Sequence, residues 1–243
     1  MKVSVIIPVF NEERSITGVL DEILALDLAP LELEVIVSND GSSDGTAEMI
    51  VPYADRDERV RVVTSEANHG KGFAVRRGLE AATGEVILIQ DADTEYSPAE
   101  YPRLLEPIVD GAAEVVFGSR FLERRWPLGM RPQNWIANRL FTTTANLLYG
   151  GSISDEGTGY KVFGREMLES LRLEATGFEF CAEVTAKLLR RRIAICEVPV
   201  SYRARGGKRG RKPGYLDGLQ VLWTLIRYRF AGVRDVAPSI SGE

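Results

Sequence analysis

The chain has only two cysteines and one histidine among its 243 residues, which removes several kinds of chemistry at once. Cys181 and Cys196 lack the paired spacing of a zinc site or a disulfide framework and read as small buried hydrophobes. His69 alone builds neither a zinc centre nor a Ser-His-Asp system, and keeps only the role of a loop histidine near a phosphate. No apolar run approaches the roughly 18 to 20 residues that span a bilayer. The first strand-like run starts at Lys2, so the expectation is no signal peptide and only peripheral membrane contact. Internal repeats and low-complexity linkers are also missing. With 44% hydrophobic residues, the chain has enough material for one larger α/β domain over residues 1–231, with 232–243 as a tail.

What is present is a series of apolar runs that end in acids. Val86 to Ile89 passes through Gln90 into Asp91-Ala92-Asp93, with Glu95 two places further on. A short continuous apolar run of this kind reads as a buried parallel strand. In open α/β sheets ligands lie just past the carboxyl ends of such strands. Asp91 and Asp93 can therefore converge on one hard cation such as Mg²⁺ or Mn²⁺, with Glu95 as a third candidate. The competing reading is an Asp-rich turn.

Two further runs have the same form. Lys2 to Phe10 leads into Asn11-Glu12-Glu13 and then Ile16, Val19, Leu20 and Ile23 at helical spacing, so Asn11 is expected to cap a helix whose first turn holds both glutamates. Leu33 to Val37 leads into Asn39-Asp40-Gly41 and onward to Asp44, which suits the cap of a helix near Thr46. Asp40 has no such structural task, because Gly41 and the serines already supply the turn, and it reads as functional. After a strand at Val60 to Thr64, Gly70-Lys71-Gly72 opens another helix and forms a plausible anion corner. The spacing is not that of a Walker A loop.

Five patterns in this order, VSVIIPVFNEE, SNDGSSDGT, NHGKGFAVRRGLEAATGE, QDADTEYSP and GSRF, resemble a family-two glycosyltransferase with the GT-A fold. Gly157 to Phe163, Phe178-Glu179-Phe180 and Val198 to Tyr202 resemble the branch of dolichyl-phosphate and polyprenyl-phosphate sugar synthases. The resemblance covers about residues 1–230 and implies a Rossmann-like, mostly parallel sheet flanked by helices. A donor half would span about 1–120 and an acceptor half about 121–231. By the same resemblance Pro8, Val9, Asn11 and Glu12 line the nucleobase and ribose pocket, Asp40 bonds the base, and Lys71 lies close by. Asp91 meets the ribose and diphosphate, and Asp91, Asp93 and Glu95 form the metal set. Many relatives have glutamine where this chain has Glu95. Arg120 would face a donor or acceptor phosphate, and Arg205 and Lys208 would belong to a basic loop closing over both phosphates.

The acceptor half contributes a basic stretch from Arg203 to Lys212, set in a chain of net charge -5. That acidic whole argues against nucleic acid as a partner. Tyr215 to Phe230 reads as a helix with Leu216, Leu219, Leu222, Trp223, Ile226 and Phe230 on one face and Val221 and Leu225 widening the apolar arc, and a second helix runs from Trp135 to Tyr149. Each face is either core or a membrane-surface contact. Asp155 and Glu156 sit in a turn where a cap or loop role competes with catalysis, and the Gln-x-x-Arg-Trp pattern of processive synthases is missing.

The reading is an inverting, metal-dependent hexosyltransferase. It would use GDP-mannose or UDP-glucose, with polyprenyl phosphate as acceptor, in the cytoplasm and in peripheral contact with the cytoplasmic membrane face. The alternatives are transfer to a saccharide hydroxyl and a non-enzymatic nucleotide-sugar binding module.

Overall fold

The apolar runs and the helical-period segments between them form seven strands and eight α-helices in a computed structural model that describes residues 1–204 and 214–230. The strands are β1 (Lys2–Val9), β2 (Glu32–Asn39), β3 (Val60–Thr64), β4 (Val86–Ile89), β5 (Val115–Ser119), β6 (Lys161–Gly164) and β7 (Cys196–Pro199). The helices are α1 (Ile16–Leu24), α2 (Thr46–Arg56), α3 (Lys71–Ala81), α4 (Tyr101–Val109), α5 (Pro132–Tyr149), α6 (Arg165–Ser170), α7 (Phe180–Arg190) and α8 (Tyr215–Phe230).

One sheet runs through both halves of the chain in the order β3-β2-β1-β4-β6-β5-β7. Only β6 runs antiparallel to its neighbours β4 and β5. Because the chain winds outward from β1 to β3 and then returns to β4 beside β1, the strand order reverses between β1 and β4. Reversals of that kind open a crevice at the carboxyl ends of the strands.

Strand alternation divides the core. Val3, Val5, Ile7 and Val9 of β1 face the buried sides of α1, α2 and α4. Ile6 of β1, with Ile36, Ile87 and Ile89, faces α3, α6 and α7. Contact on this second face is close enough that a Cβ at Gly78 of α3 would collide with the Ile6 side chain. A third layer packs α5 and α8 on α7 through Ala145, Ala182, Ala186, Val221 and Leu225. At the far end of β1, buried Glu34 accepts hydrogen bonds from Ser4 Oγ at 2.5 Å and from Thr83 N at 2.8 Å, tying β1 and β2 to the segment after α3.

Two local expectations are corrected. Asn11 does not cap α1: it takes a left-handed φ of 56°, and its Oδ1 accepts the Ser43 N–H at 2.8 Å, which stitches the loop after β1 to the loop after β2. Ser15 precedes the first helical residue, and neither glutamate lies in the first turn. Asp44 does bond the first N–H of α2, at Thr46, at 3.0 Å.

The Tyr215–Phe230 helix forms as expected, but its packed face is Val221, Thr224, Leu225 and Tyr228. Leu219, Trp223 and Phe230 of the expected apolar face are 63%, 63% and 76% exposed. Arg205, Lys208 and the tail 232–243 lie outside the described residues.

Candidate functional site

The crevice at the β1/β4 reversal is a cavity of about 580 Å³. Its wall includes Pro8, Val9, Glu12, Asp40, Lys71, Asp91, Asp93, Glu95 and Arg120, so nearly all the described site candidates share one space. Asn11 is not among the lining residues; it shapes the rim through Ser43.

At the β1/β2 end, Asp40 is 2% exposed. Its Oδ2 accepts the backbone N–H groups of His69 at 3.0 Å and Gly70 at 2.6 Å. Its Oδ1 has no hydrogen-bond partner. A buried carboxylate oxygen left this way costs about 1–3 kcal/mol unless something with an N–H or O–H enters beside it. The turn that delivers the two N–H groups needs glycine at residue 70, where φ is 110° and a Cβ would meet the Thr176 carbonyl oxygen at 2.5 Å.

In the middle of the cavity Lys71, the first residue of α3, pairs with Asp91 at the end of β4. Burial works against both charges, yet their attraction prevails: the Lys71 ammonium is held above its ordinary pKa and the Asp91 carboxyl below its own, helped by Lys161 and Arg120. Asp93 Oδ1 accepts the Glu95 N–H at 2.8 Å in a tight turn, and Glu95 Oε2 accepts the Tyr202 hydroxyl at 2.9 Å. These acids therefore form no three-carboxylate cage, and no group of three or more metal-ligating side chains occurs among the described residues.

Arg120, at the end of β5, is pinned from behind. Its guanidinium donates to both oxygens of buried Asp155 at 2.7 Å, and Asn138 Nδ2 donates to the same carboxylate at 2.8 Å. Attraction to Arg120 outweighs burial and holds the Asp155 carboxyl below the usual range. Glu156 next to it behaves oppositely: burial pushes its pKa up to about 7.

Two residues of this site, Asn134 and Asp217, carried no site signal in the sequence, and two more, Asp155 and Tyr202, lie in visible patterns that do not give their partners. Tyr202 and Asp155 act through partners 107 and 35 positions away, distances no local pattern reveals. Asp217 and Asn134 line the cavity from α8 and α5. The acid pair in the SDEGTG turn was visible, but not which acid would be paired.

Comparison with known proteins gives a consistent relationship. The profile of glycosyl transferase family 2 matches residues 4–172. A low-salt glycan biosynthesis hexosyltransferase of Haloferax volcanii is 30% identical over 227 residues, which are 93% of this chain and 52% of that protein. A dolichol-phosphate mannosyltransferase of Pyrococcus furiosus is 28% identical over 251 residues, 100% of this chain and 68% of that one. The chain thus spans about half the length of the first relative and two thirds of the second. Among solved structures, glucosyl-3-phosphoglycerate synthase from Mycobacterium tuberculosis, in complex with Mn²⁺, uridine diphosphate and phosphoglyceric acid, superposes with a TM-score of 0.75 at 26% identity. The superposition covers 95% of this chain and 79% of that one.

Proposed function

The chain belongs to glycosyl transferase family 2, and on that premise we propose that it is an inverting hexosyltransferase that moves the sugar of a nucleoside diphosphate donor onto a polyprenyl phosphate. The observation that carries the proposal is the layout of the crevice at the β1/β4 reversal. A buried, half-satisfied carboxylate stands at one end, acids and cations in the middle, and exposed apolar helix faces outside the other end.

Asp40 Oδ1 is the oxygen for a nucleobase N–H, with Pro8, Val9 and Glu12 as the flanking wall. Asp91, Asp93 and Glu95 offer only hard oxygen ligands, the donor chemistry of Mg²⁺ or Mn²⁺. Without a ready-made cage they suit a cation that brings further ligands with it, as Mg²⁺ does when it binds through one or two carboxylates and substrate phosphates. Such a cation supplies charge neutralisation on the departing diphosphate. Lys71 holds Asp91 in place and adds positive charge beside the same region, while Arg120, fixed by Asp155, presents a guanidinium that cannot swing away. Arg205 and Lys208 belong to the proposed site by resemblance and lie outside the described residues.

The acceptor side is read from its surface. Leu219, Trp223 and Phe230 of α8 are exposed, as are Ile136 and Leu140 of α5. Each such side chain gains about 1.5–3 kcal/mol when fully removed from water, enough for a few to hold a protein on a bilayer. No described helix is long and apolar enough to cross a membrane. A polyprenyl phosphate meets this arrangement with its charge in the crevice and its chain along the helices. It is mostly ionised near neutral pH, its second pKa being about 6, so it needs no strong base.

A phosphoglyceric acid complex of the structural neighbour keeps a soluble acceptor as the second reading. The deciding measurement is transfer from GDP-mannose and UDP-glucose, with Mn²⁺ and with chelator, to a short polyprenyl phosphate and to simple saccharides. Metal-dependent transfer to the lipid alone is expected. Equal transfer to a saccharide hydroxyl, or full activity in chelator, overturns the reading.

A further inference from the structure

Glu156 is a buried, cavity-lining acid that neither the donor site nor the Arg120 clamp uses. It is 1% exposed, and its Oε1 has no hydrogen-bond partner among the described residues. Its backbone is fully occupied: the N–H donates to Thr142 Oγ1 at 3.0 Å and the carbonyl accepts from Lys161 Nζ at 3.0 Å. The loop is therefore held between α5 and the start of β6, and the carboxyl is the one part of Glu156 left without a task. It lines the cavity together with Asn134, Asn138 and Phe141 of α5, on the side where α8 closes the wall with Asp217 and Val221.

The charges around it are mixed. Lys161 from β6 and Arg120 from β5 attract its carboxylate, and Asp155 repels it. Two of the Arg120 guanidinium nitrogens are bonded to Asp155, and Lys161 Nζ bonds the carbonyls of Glu156 and Thr158. Glu197 of β7 is taken by the N–H groups of Ser154 and Asp155. The α5 groups packed on the loop, Asn138 and Thr142, are neutral. Among the described residues no cation forms an ion pair with the Glu156 carboxylate, and burial, the largest influence on it, favours its protonated form.

We propose that Glu156 is a specificity-determining residue for a phosphate monoester acceptor, which it binds as the neutral acid, its carboxyl O–H donating to one phosphate oxygen while another oxygen attacks the sugar. This rests on the phosphate-acceptor reading above and says how that phosphate is recognised. An ionised carboxylate facing a phosphate dianion is repulsive, so the pair binds with one shared proton. When the acceptor arrives as the monoanion that proton is already present; when both groups are ionised it is taken from solvent. A saccharide hydroxyl would use the same residue differently, as a base that removes its proton, and the two roles are separable because glutamine can donate a hydrogen bond but cannot accept a proton.

The test uses the full chain with a nucleoside diphosphate and Mn²⁺. Calorimetry at pH 8 in two buffers of different ionisation heat measures proton uptake as a short polyprenyl phosphate binds, with glycerol 3-phosphate as the free-phosphate arm. Wild type is expected to take up close to one proton per acceptor, and Glu156→Gln none. In the transfer assay the wild-type acceptor KM should rise above about pH 7, and Glu156→Gln should remove that rise. Glu156→Ala should raise the acceptor KM about tenfold or more below about pH 7, the loss expected for a hydrogen bond to a charged group, with the difference narrowing at higher pH. Equal binding of both phosphates locates recognition in the phosphate; preference for the lipid adds the chain, and either result supports the role.

No proton uptake by wild type, or a pH profile shared by wild type and Glu156→Gln, overturns it. So does a hundredfold fall in kcat of Glu156→Gln at unchanged acceptor KM, which would make the residue a base. Wild type that binds neither phosphate and glycosylates a saccharide hydroxyl overturns the acceptor reading itself, and the wild-type arm alone distinguishes that failure.

Discussion

Arg120 and Asp155 stand 35 positions apart in sequence and meet in a two-pronged ion pair, with both N–O distances at 2.7 Å and the carboxylate fully buried. Asn138 donates to the same carboxylate, so one acid joins the end of β5 to α5 across the crevice. A geometry of this kind fixes a guanidinium for use elsewhere, because its fork toward Asp155 is already filled.

Removing Asp155 strands a buried cation. Asp155→Ala should destabilise the protein by about 3–5 kcal/mol, the cost of breaking rather than replacing a buried pair, where an exposed pair would cost at most about 1 kcal/mol. Urea unfolding followed by circular dichroism measures this. A loss below 1 kcal/mol would mean that water already reaches the pair.

Asp40 should show its role in nucleotide binding rather than in turnover alone. If its free oxygen receives a nucleobase N–H, Asp40→Ala weakens nucleoside diphosphate binding by about 1.5–3 kcal/mol even without metal. Calorimetric titration with and without Mn²⁺ separates this from metal loss, and unchanged affinity would return Asp40 to the turn that holds residues 69 and 70.

The exposed face of α8 is the expected contact with lipid. The protein should sediment with anionic liposomes more at low salt than at high salt, since screening weakens attraction between surface charges and headgroups. Leu219→Asp with Trp223→Asp should abolish sedimentation without lowering the unfolding midpoint, because both side chains already face water. Sedimentation equal to wild type would place the contact elsewhere.

Glu34 gives an acid-stability signature far from the crevice. Burial opposes its charge, but hydrogen bonds from Ser4, Thr83 and Lys2 prevail and lower its pKa from the ordinary 4.5 to about 2. A carboxyl with a depressed folded-state pKa stabilises the fold above its unfolded value, and the contribution is lost as pH falls toward the folded one. The difference in melting temperature between wild type and Glu34→Gln should be full above about pH 4.5 and vanish near pH 2. A difference independent of pH would assign the effect to packing.

The donor side was legible because its information is local. Strands β1, β2 and β4 announce themselves as apolar runs, and Asp40, Asp91 and Asp93 follow them within two to four residues, where strand ends and crevice coincide. The acceptor side was not, because its meaning lies in pairing: nothing around Arg120 names Asp155, and nothing around Tyr202 names Glu95. Amphipathicity left open which side of α8 is packed, for a related reason. Tyr228 and Thr224 are buried because Glu183 of α7 accepts the Tyr228 hydroxyl at 2.7 Å and α5 and α7 supply the packing, so polar residues occupy the inner face and leave leucines outside. Asn11 failed as a cap because Ser42 and Ser43 from another loop compete for it.

Strand β6 is the one member of the sheet that runs backwards, and its first residue, Lys161, lies beside Ile89 of β4 and Phe117 of β5. Its entrance therefore opens onto the same edge where its neighbours finish. The loop feeding it places Glu156 and Gly159 in the crevice wall before its strand begins, whereas Asp40 and Asp91 in the same wall follow the strands they belong to. On the proposed reading this is a division of labour written into chain direction: the turn before β6 would serve the acceptor and the ends of the parallel strands the nucleotide.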